Sequence, residues 1–135
     1  MNFDEKLIYD VGLHKGEDTD YYLKRGFNVI AIEADEELVK FNQNRFKNYI
    51  KNGKLTIING AISDTKESEI TFYKNSKVSV WGTVVKKWAE RNANVGAHSV
   101  EVTVKVVNLF DLFEQYGVPY YLKTLKPRSL KVFFI

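Results

Sequence analysis

Apolar residues in the first half of the chain fall into short, nearly unbroken blocks, and the segments between them repeat at helical spacing. Lys6 to Val11 reads as a short buried strand. "FNVIAIE", Phe27 to Glu33, reads as a second strand, and "KLTIIN", Lys54 to Asn59, as a third. Glu17 to Arg25 reads as a helix, with acids in its first turn, Lys24 and Arg25 in its last, and Gly26 as its stop. Asp35 is placed to cap a second helix. Leu38, Phe41, Phe46, Tyr49 and Ile50 give that helix an apolar face, and Asn52-Gly53 ends it. This order, with short connections, predicts a parallel sheet with right-handed crossovers and helices on both faces. Strands that are apolar on both sides agree with it.

The second half alternates instead. "SEITFYK" (Ser68 to Lys74) and "SVEVTVKVV" (Ser99 to Val107) switch between polar and apolar residues, as half-exposed antiparallel strands do. Between them, Trp81 to Asn92 predicts a short helix capped by Thr83, with Val84, Val85, Trp88 and Ala89 facing inward. Asn108 to Gly117 predicts another helix with its own cap and stop, and "VPYYLK" returns as an apolar strand. There is no internal repeat, linker or low-complexity stretch. The expectation is one domain over 1–135, whose pattern changes between 1–64 and 65–135.

Composition narrows the classes. A chain of 135 residues with 44% apolar and 14% aromatic residues builds one core and argues against disorder. The net charge of +3 comes from lysines and arginines dispersed among acids, without the basic block of a nucleic-acid arm. With no cysteine and only His14 and His98, neither a disulfide nor a thiolate or histidine-rich metal site is expected. Acids occupy the N-terminus where a signal peptide would be basic and then apolar, and no apolar run is long enough to span a membrane. A cytoplasmic protein with no membrane and no nucleic-acid partner is expected.

The chemistry concentrates in "YDVGLHKGEDT", Tyr9 to Thr19, where an apolar run stops and Gly12 and Gly16 follow four positions apart. In an open parallel sheet, ligands bind beyond the carboxyl ends of the strands. This loop is predicted there, and so is Glu33 at the end of the second strand. Glycines allow close backbone approach, and a carboxylate at that strand end can accept two ribose hydroxyls. The spacing is not that of a dinucleotide fold, because His14 stands where a middle glycine belongs. It is not a P-loop either, since Gly16 is followed by Glu17 and Asp18, which oppose a phosphate. The acids suit a phosphate-free cation containing a nucleoside, and S-adenosylmethionine is such a ligand. The alternative is a plain strand-to-helix turn.

With "YDVGLHKGEDT", "VIAIEAD", "INGAISD" and "VKVVNLFDLFEQYGVPYYLKT", the chain resembles the FkbM family of S-adenosylmethionine-dependent methyltransferases from about Leu7 to Thr124. The segment around "SVWGTVVKKWAERN" resembles one branch of that family. The resemblance implies a Rossmann-like class I methyltransferase fold: a mostly parallel α/β sheet with an antiparallel hairpin insertion. It implies that Asp10, Gly12 and Gly16 line the methionine end of the cofactor and that Glu33 holds the ribose, with Ala34 beside it. Asn59, Gly60, Ala61 and Ile62 would border the adenine. The implied activity is O-methyl transfer to a sugar, polysaccharide or other hydroxylated metabolite, with no metal.

A general base would assist attack by an alcohol; His14, Asp64, His98 and Glu101 are the candidates, none of them singled out. Trp81, Trp88 and Arg91 offer an acceptor wall, or else the tryptophans are core residues of a short helix. After "YYLKT" the chain departs from the family pattern: the acid at the strand end and the following Glu-Gly are missing, and "LKPRSLKVFFI" follows. The fold is therefore expected to be incomplete at its C-terminus, with "SLKVFFI" as a strand after a turn at Pro127. An uncovered sheet edge would then favour self-association. A non-catalytic remnant of the fold is the alternative to an active enzyme, and a nicotinamide-dependent oxidoreductase is a third, weaker reading.

Overall fold

The computed structural model describes residues 3–75, 82–96 and 98–120. In chain order the elements are β1 (Phe3–Asp4), β2 (Leu7–Val11), α1 (Glu17–Lys24), β3 (Asn28–Glu33), α2 (Glu36–Arg45), α3 (Lys47–Lys51) and β4 (Leu55–Asn59). They continue with β5 (Ala61–Ile62), β6 (Glu69–Asn75), α4 (Lys86–Asn94), β7 (Ser99–Val107), α5 (Leu109–Tyr116) and β8 (Val118–Pro119). The protein is mixed α/β with parallel sheets, as the sequence pattern predicts. β2, β3 and β4 form a parallel sheet in that order, with Asp10 opposite Ala31 and Glu33 opposite Asn59. β8 pairs parallel with β1 just before β2. The chain thus steps outward from β2 to β4 and later returns to the β1–β2 end.

Alternation along β2 and β3 divides the core. Leu7, Tyr9, Val11, Ile30 and Ile32 point to one face, where they pack with Ile62, Val107 and Leu112 of α5. Val29 and Ala31 point to the other, against Leu13, Leu23 of α1, Phe46 and Leu55. Both faces are therefore covered, and every residue of β2 is buried. β4 is less buried than its apolar sequence suggests, because it has a strand partner on only one side among the described residues. Tyr9 spans the first core layer: its one hydroxyl proton is shared between the carbonyls of Gly117 (2.7 Å) and Leu112 (3.1 Å). Burial moves its phenol pKa far upward, so it stays neutral.

The alternating segments pair as expected. β6 and β7 form an antiparallel hairpin, with Tyr73 opposite Glu101 and Phe72 opposite Val102. β7 continues into a parallel pairing with β5, which the sequence did not distinguish from the end of the third strand. Gly60 is the junction at which the chain leaves β3 for β7. A side chain there would overlap Val107 Cγ2 at 2.5 Å and the Lys105 carbonyl at 2.9 Å.

Two predicted helices are corrected. The single helix after Asp35 is broken at Phe46, whose backbone leaves the helical region (φ −107°, ψ 26°) while its ring is buried in the second core layer. The helix expected from Trp81 with a Thr83 cap begins instead at Lys86 with Val85 as its cap. Thr83 is used elsewhere: its amide and carbonyl bridge those of Tyr73 on β6. The expected strand "SLKVFFI", the end of "VPYYLK" and Trp81 lie outside the described residues. So does the sheet edge from which self-association was expected. No described helix is long and apolar enough to cross a membrane.

Candidate functional site

The loop between β2 and α1 is a tight left-handed turn. Gly12 (φ +82°), His14 (φ +53°) and Gly16 (φ +86°) all have positive φ within five residues. At Gly12 and Gly16 glycine accepts that region without steric cost, whereas at His14 the conformation has to be held from outside. Hydrogen bonds to β3 and α2 hold the loop. The Gly12 amide donates to the Ile32 carbonyl at 2.8 Å, continuing the ladder past the end of β2. The His14 amide donates to Glu33 Oε1 at 2.8 Å. The His14 carbonyl accepts from Asn42 Nδ2 of α2 at 2.6 Å, and the Lys15 carbonyl accepts from the Arg45 guanidinium.

The two glycines have different environments. A methyl group on Gly16 would overlap Asn42 Oδ1 at 2.4 Å and the Phe46 ring at 2.5 Å, so this glycine makes room for α2. Gly12 is exposed, at the carboxyl end of β2.

Glu33 is the centre of the arrangement. It is 7% exposed at the end of β3, and its second oxygen, Oε2, accepts from the Asp35 amide at 2.9 Å. Desolvation raises its pKa above the usual glutamate range, opposed by the Asp35 and His14 amides. A carboxylate offers about four acceptor positions and these amides use two, so acceptor capacity for two ribose hydroxyls remains. Asn59 reinforces the same strand end, with Nδ2 donating to the carbonyls of Glu33 (3.0 Å) and Ala34 (3.3 Å).

Asp10 is almost fully buried at the end of β2 and accepts from the Thr19 hydroxyl at 2.5 Å, which ties the strand to the first turn of α1. Glu17 and Asp18 open that helix, and His14 Nδ1 lies 3.5 Å from Glu17 Oε2. The loop surroundings are therefore acidic.

The predicted site residues separate into two groups. Asp10, Gly12, Gly16, Glu33, Ala34 and Asn59 gather at the carboxyl ends of β2, β3 and β4. Gly60, Ala61 and Ile62 are buried beyond them. Ala61 joins Phe72 and Val104 in a third apolar cluster, against which Ala34 packs, and Ile62 joins the first core layer. Contact with an adenine there would fall to backbone atoms.

The base candidates are dispersed. His14 lies in the loop, Asp64 is exposed after β5, and His98 and Glu101 are exposed at the start of β7. Arg91 is exposed on α4, and Trp88 is half-buried beside buried Ala89.

Sequence reasoning did not find Thr19 or Arg45, nor Lys74 of β6. The Lys74 ammonium lies 2.8 Å from Glu37 Oε2 and 3.4 Å from Asp35 Oδ1. It shares a face of β6 with Phe72, whose cluster packs against Ala34.

Comparison with protein-family models gives no match for this chain, and no curated protein sequence matches it either.

Proposed function

We propose that the protein is an S-adenosylmethionine-dependent methyltransferase with a Rossmann-like class I fold, acting on a hydroxyl group of a sugar, polysaccharide or related metabolite. The observation that carries this reading is the placement of Glu33: a buried carboxylate with spare acceptor capacity, directly beneath a left-handed glycine loop. Glu33 would hold the ribose diol, and Gly12 would let the methionine portion approach the end of β2. The acids Glu17 and Asp18 suit a sulfonium and disfavour a pyrophosphate. The cofactor supplies the reactive methyl group, and the protein supplies position and shielding.

On the hairpin, a groove of about 350 Å³ is lined by Thr65, Glu69, Thr71, Tyr73 and Thr103 among others. Glu69, Thr71 and Tyr73 alternate with Ile70, Phe72 and Lys74, so this groove lies on the hairpin face away from Ala34. A cytoplasmic setting, where the cofactor is made and used, belongs to the same reading.

A second reading is favoured by Gly16. Its space is taken by Asn42 and Phe46, and both oxygens of Glu33 already hold backbone amides. On that reading the loop is a self-supporting turn and the domain is non-catalytic. Turnover separates the two: release of S-adenosylhomocysteine with any member of a panel of hydroxylated acceptors supports the enzyme. Cofactor binding without release for every acceptor, or no cofactor binding at all, supports the non-catalytic domain. Preference for a nicotinamide dinucleotide over S-adenosylmethionine would refute both.

A further inference from the structure

We infer that Lys74 is a positioning residue that couples the β6–β7 hairpin to the Glu33 carboxylate and the glycine loop. The part of this inference that concerns a ligand rests on the function proposed above. The coupling itself rests on geometry alone.

Lys74 comes from the hairpin, 37 residues after Glu37, yet its ammonium lies 2.8 Å from Glu37 Oε2 and 3.4 Å from Asp35 Oδ1. Both partners belong to the start of α2. Asp35 caps that helix by accepting from the Glu37 amide at 3.0 Å, and its own amide donates to Glu33 Oε2 at 2.9 Å. Glu33 then holds the His14 amide through Oε1 at 2.8 Å. One continuous series of polar contacts therefore runs from the hairpin, through the α2 cap and the buried carboxylate, into the glycine loop.

Charge gives the lysine its importance. Glu33, Asp35, Glu36 and Glu37 place four carboxylates within five residues; burial disfavours ionisation of Glu33, the Asp35 amide opposes that, and the Asp35 charge adds a smaller unfavourable contribution. Lys40 pairs with Glu36 at 3.3 Å and acts on Glu37 only through space, less strongly than Lys74 does. Lys74 is 28% exposed, and its ammonium contacts both Asp35 and Glu37. It also sits on the hairpin face that carries Ile70 and Phe72, which pack in the cluster touching Ala34. Movement of the hairpin would shift the apolar neighbour of Ala34 and the charge on the α2 cap together.

The test compares Lys74→Met with Lys74→Arg by amide hydrogen exchange. Lys74→Met is expected to speed exchange at the Asp35 and Glu37 amides roughly two- to fivefold, the scale of a partly exposed ion pair. Lys74→Arg should restore wild-type exchange, and the Leu23 amide inside α1 should not change. Unchanged exchange at Asp35 and Glu37 would overturn the coupling, as would a uniform acceleration that includes Leu23. In parallel, the Kd for S-adenosylmethionine should rise roughly two- to fivefold in Lys74→Met alone. An unchanged Kd beside a binding wild type would overturn the role toward ligand. Failure of the wild type to bind would count against the proposed function, and the exchange result would still decide the coupling.

Discussion

Glu33 holds His14 in its left-handed conformation: Oε1 of the buried carboxylate accepts the His14 amide at 2.8 Å, across 19 residues of sequence. The acid that would bind a ribose is thus also the residue that shapes the loop above it. Two consequences follow for Glu33→Ala. It should remove a ligand contact, and it should release a strained turn whose other supports are Asn42 and Arg45.

The raised pKa of Glu33 sets a pH dependence with a definite sign. A carboxyl whose folded pKa lies above its unfolded value of about 4.3 binds its proton more readily when folded. Its contribution to stability is therefore fully present below that unfolded value and is lost as pH rises through the folded pKa. Measured against Glu33→Gln, wild-type stability should rise as pH falls toward about 4.3. Thermal denaturation of both proteins across pH checks this, and a difference that stays flat contradicts it.

Gly16 and Gly26 have nearly the same backbone, φ +86° and +88°, but different surroundings. Ala at Gly26 meets nothing within 4 Å, so only the left-handed penalty of about 1–2 kcal/mol applies. Ala at Gly16 adds overlap with Asn42 and Phe46, bringing the expected loss to about 2–4 kcal/mol. Urea denaturation of the two variants should show the larger drop for Gly16→Ala.

Thr19→Val removes the donor at 2.5 Å from Asp10 while keeping the side chain's shape. Both residues are buried, so the carboxylate loses a hydrogen bond that water does not readily replace. A loss of about 1–3 kcal/mol is expected, the range for leaving a buried acceptor unsatisfied. Chemical denaturation measures it, and a neutral Thr19→Val would show that the pair contributes little.

Tyr9→Phe leaves the Leu112 and Gly117 carbonyls without their phenol donor. The expected cost is about 1–2 kcal/mol, with faster amide exchange localised to α5 and the following turn. Exchange unchanged in α5 would mean that Tyr9 acts by packing alone.

Much of this architecture is legible in the sequence because burial imposes simple patterns. "LIYDV" and "NVIAIE" are apolar apart from Asp10 and the end residues Asn28 and Glu33 since both of their faces are covered, and the left-handed positions at Gly12 and Gly16 are marked by glycine itself. Glu33 is recognisable as the acid that ends a buried strand. Contacts between distant elements left no local pattern. Lys74 reads as an ordinary solvated lysine until the hairpin pairs, and Thr83 reads as a helix cap until Tyr73 takes its backbone. Gly60 resembles a ligand-side glycine, yet it is required by the approach of Val107 and Lys105. The break at Phe46 is hidden for the same reason, since an aromatic residue at helical spacing does not announce that its ring fills space beside Gly16.

Calorimetric titration of wild type and Glu33→Ala with S-adenosylmethionine and S-adenosylhomocysteine, with NAD as control, tests the central claim most directly. The account predicts binding of both methyl-cycle ligands by the wild type, binding at least about tenfold weaker in Glu33→Ala from loss of charge-assisted hydrogen bonds, and none for NAD. A wild type that binds neither methyl-cycle ligand, or a Glu33→Ala protein that remains folded and binds them equally well, would contradict it.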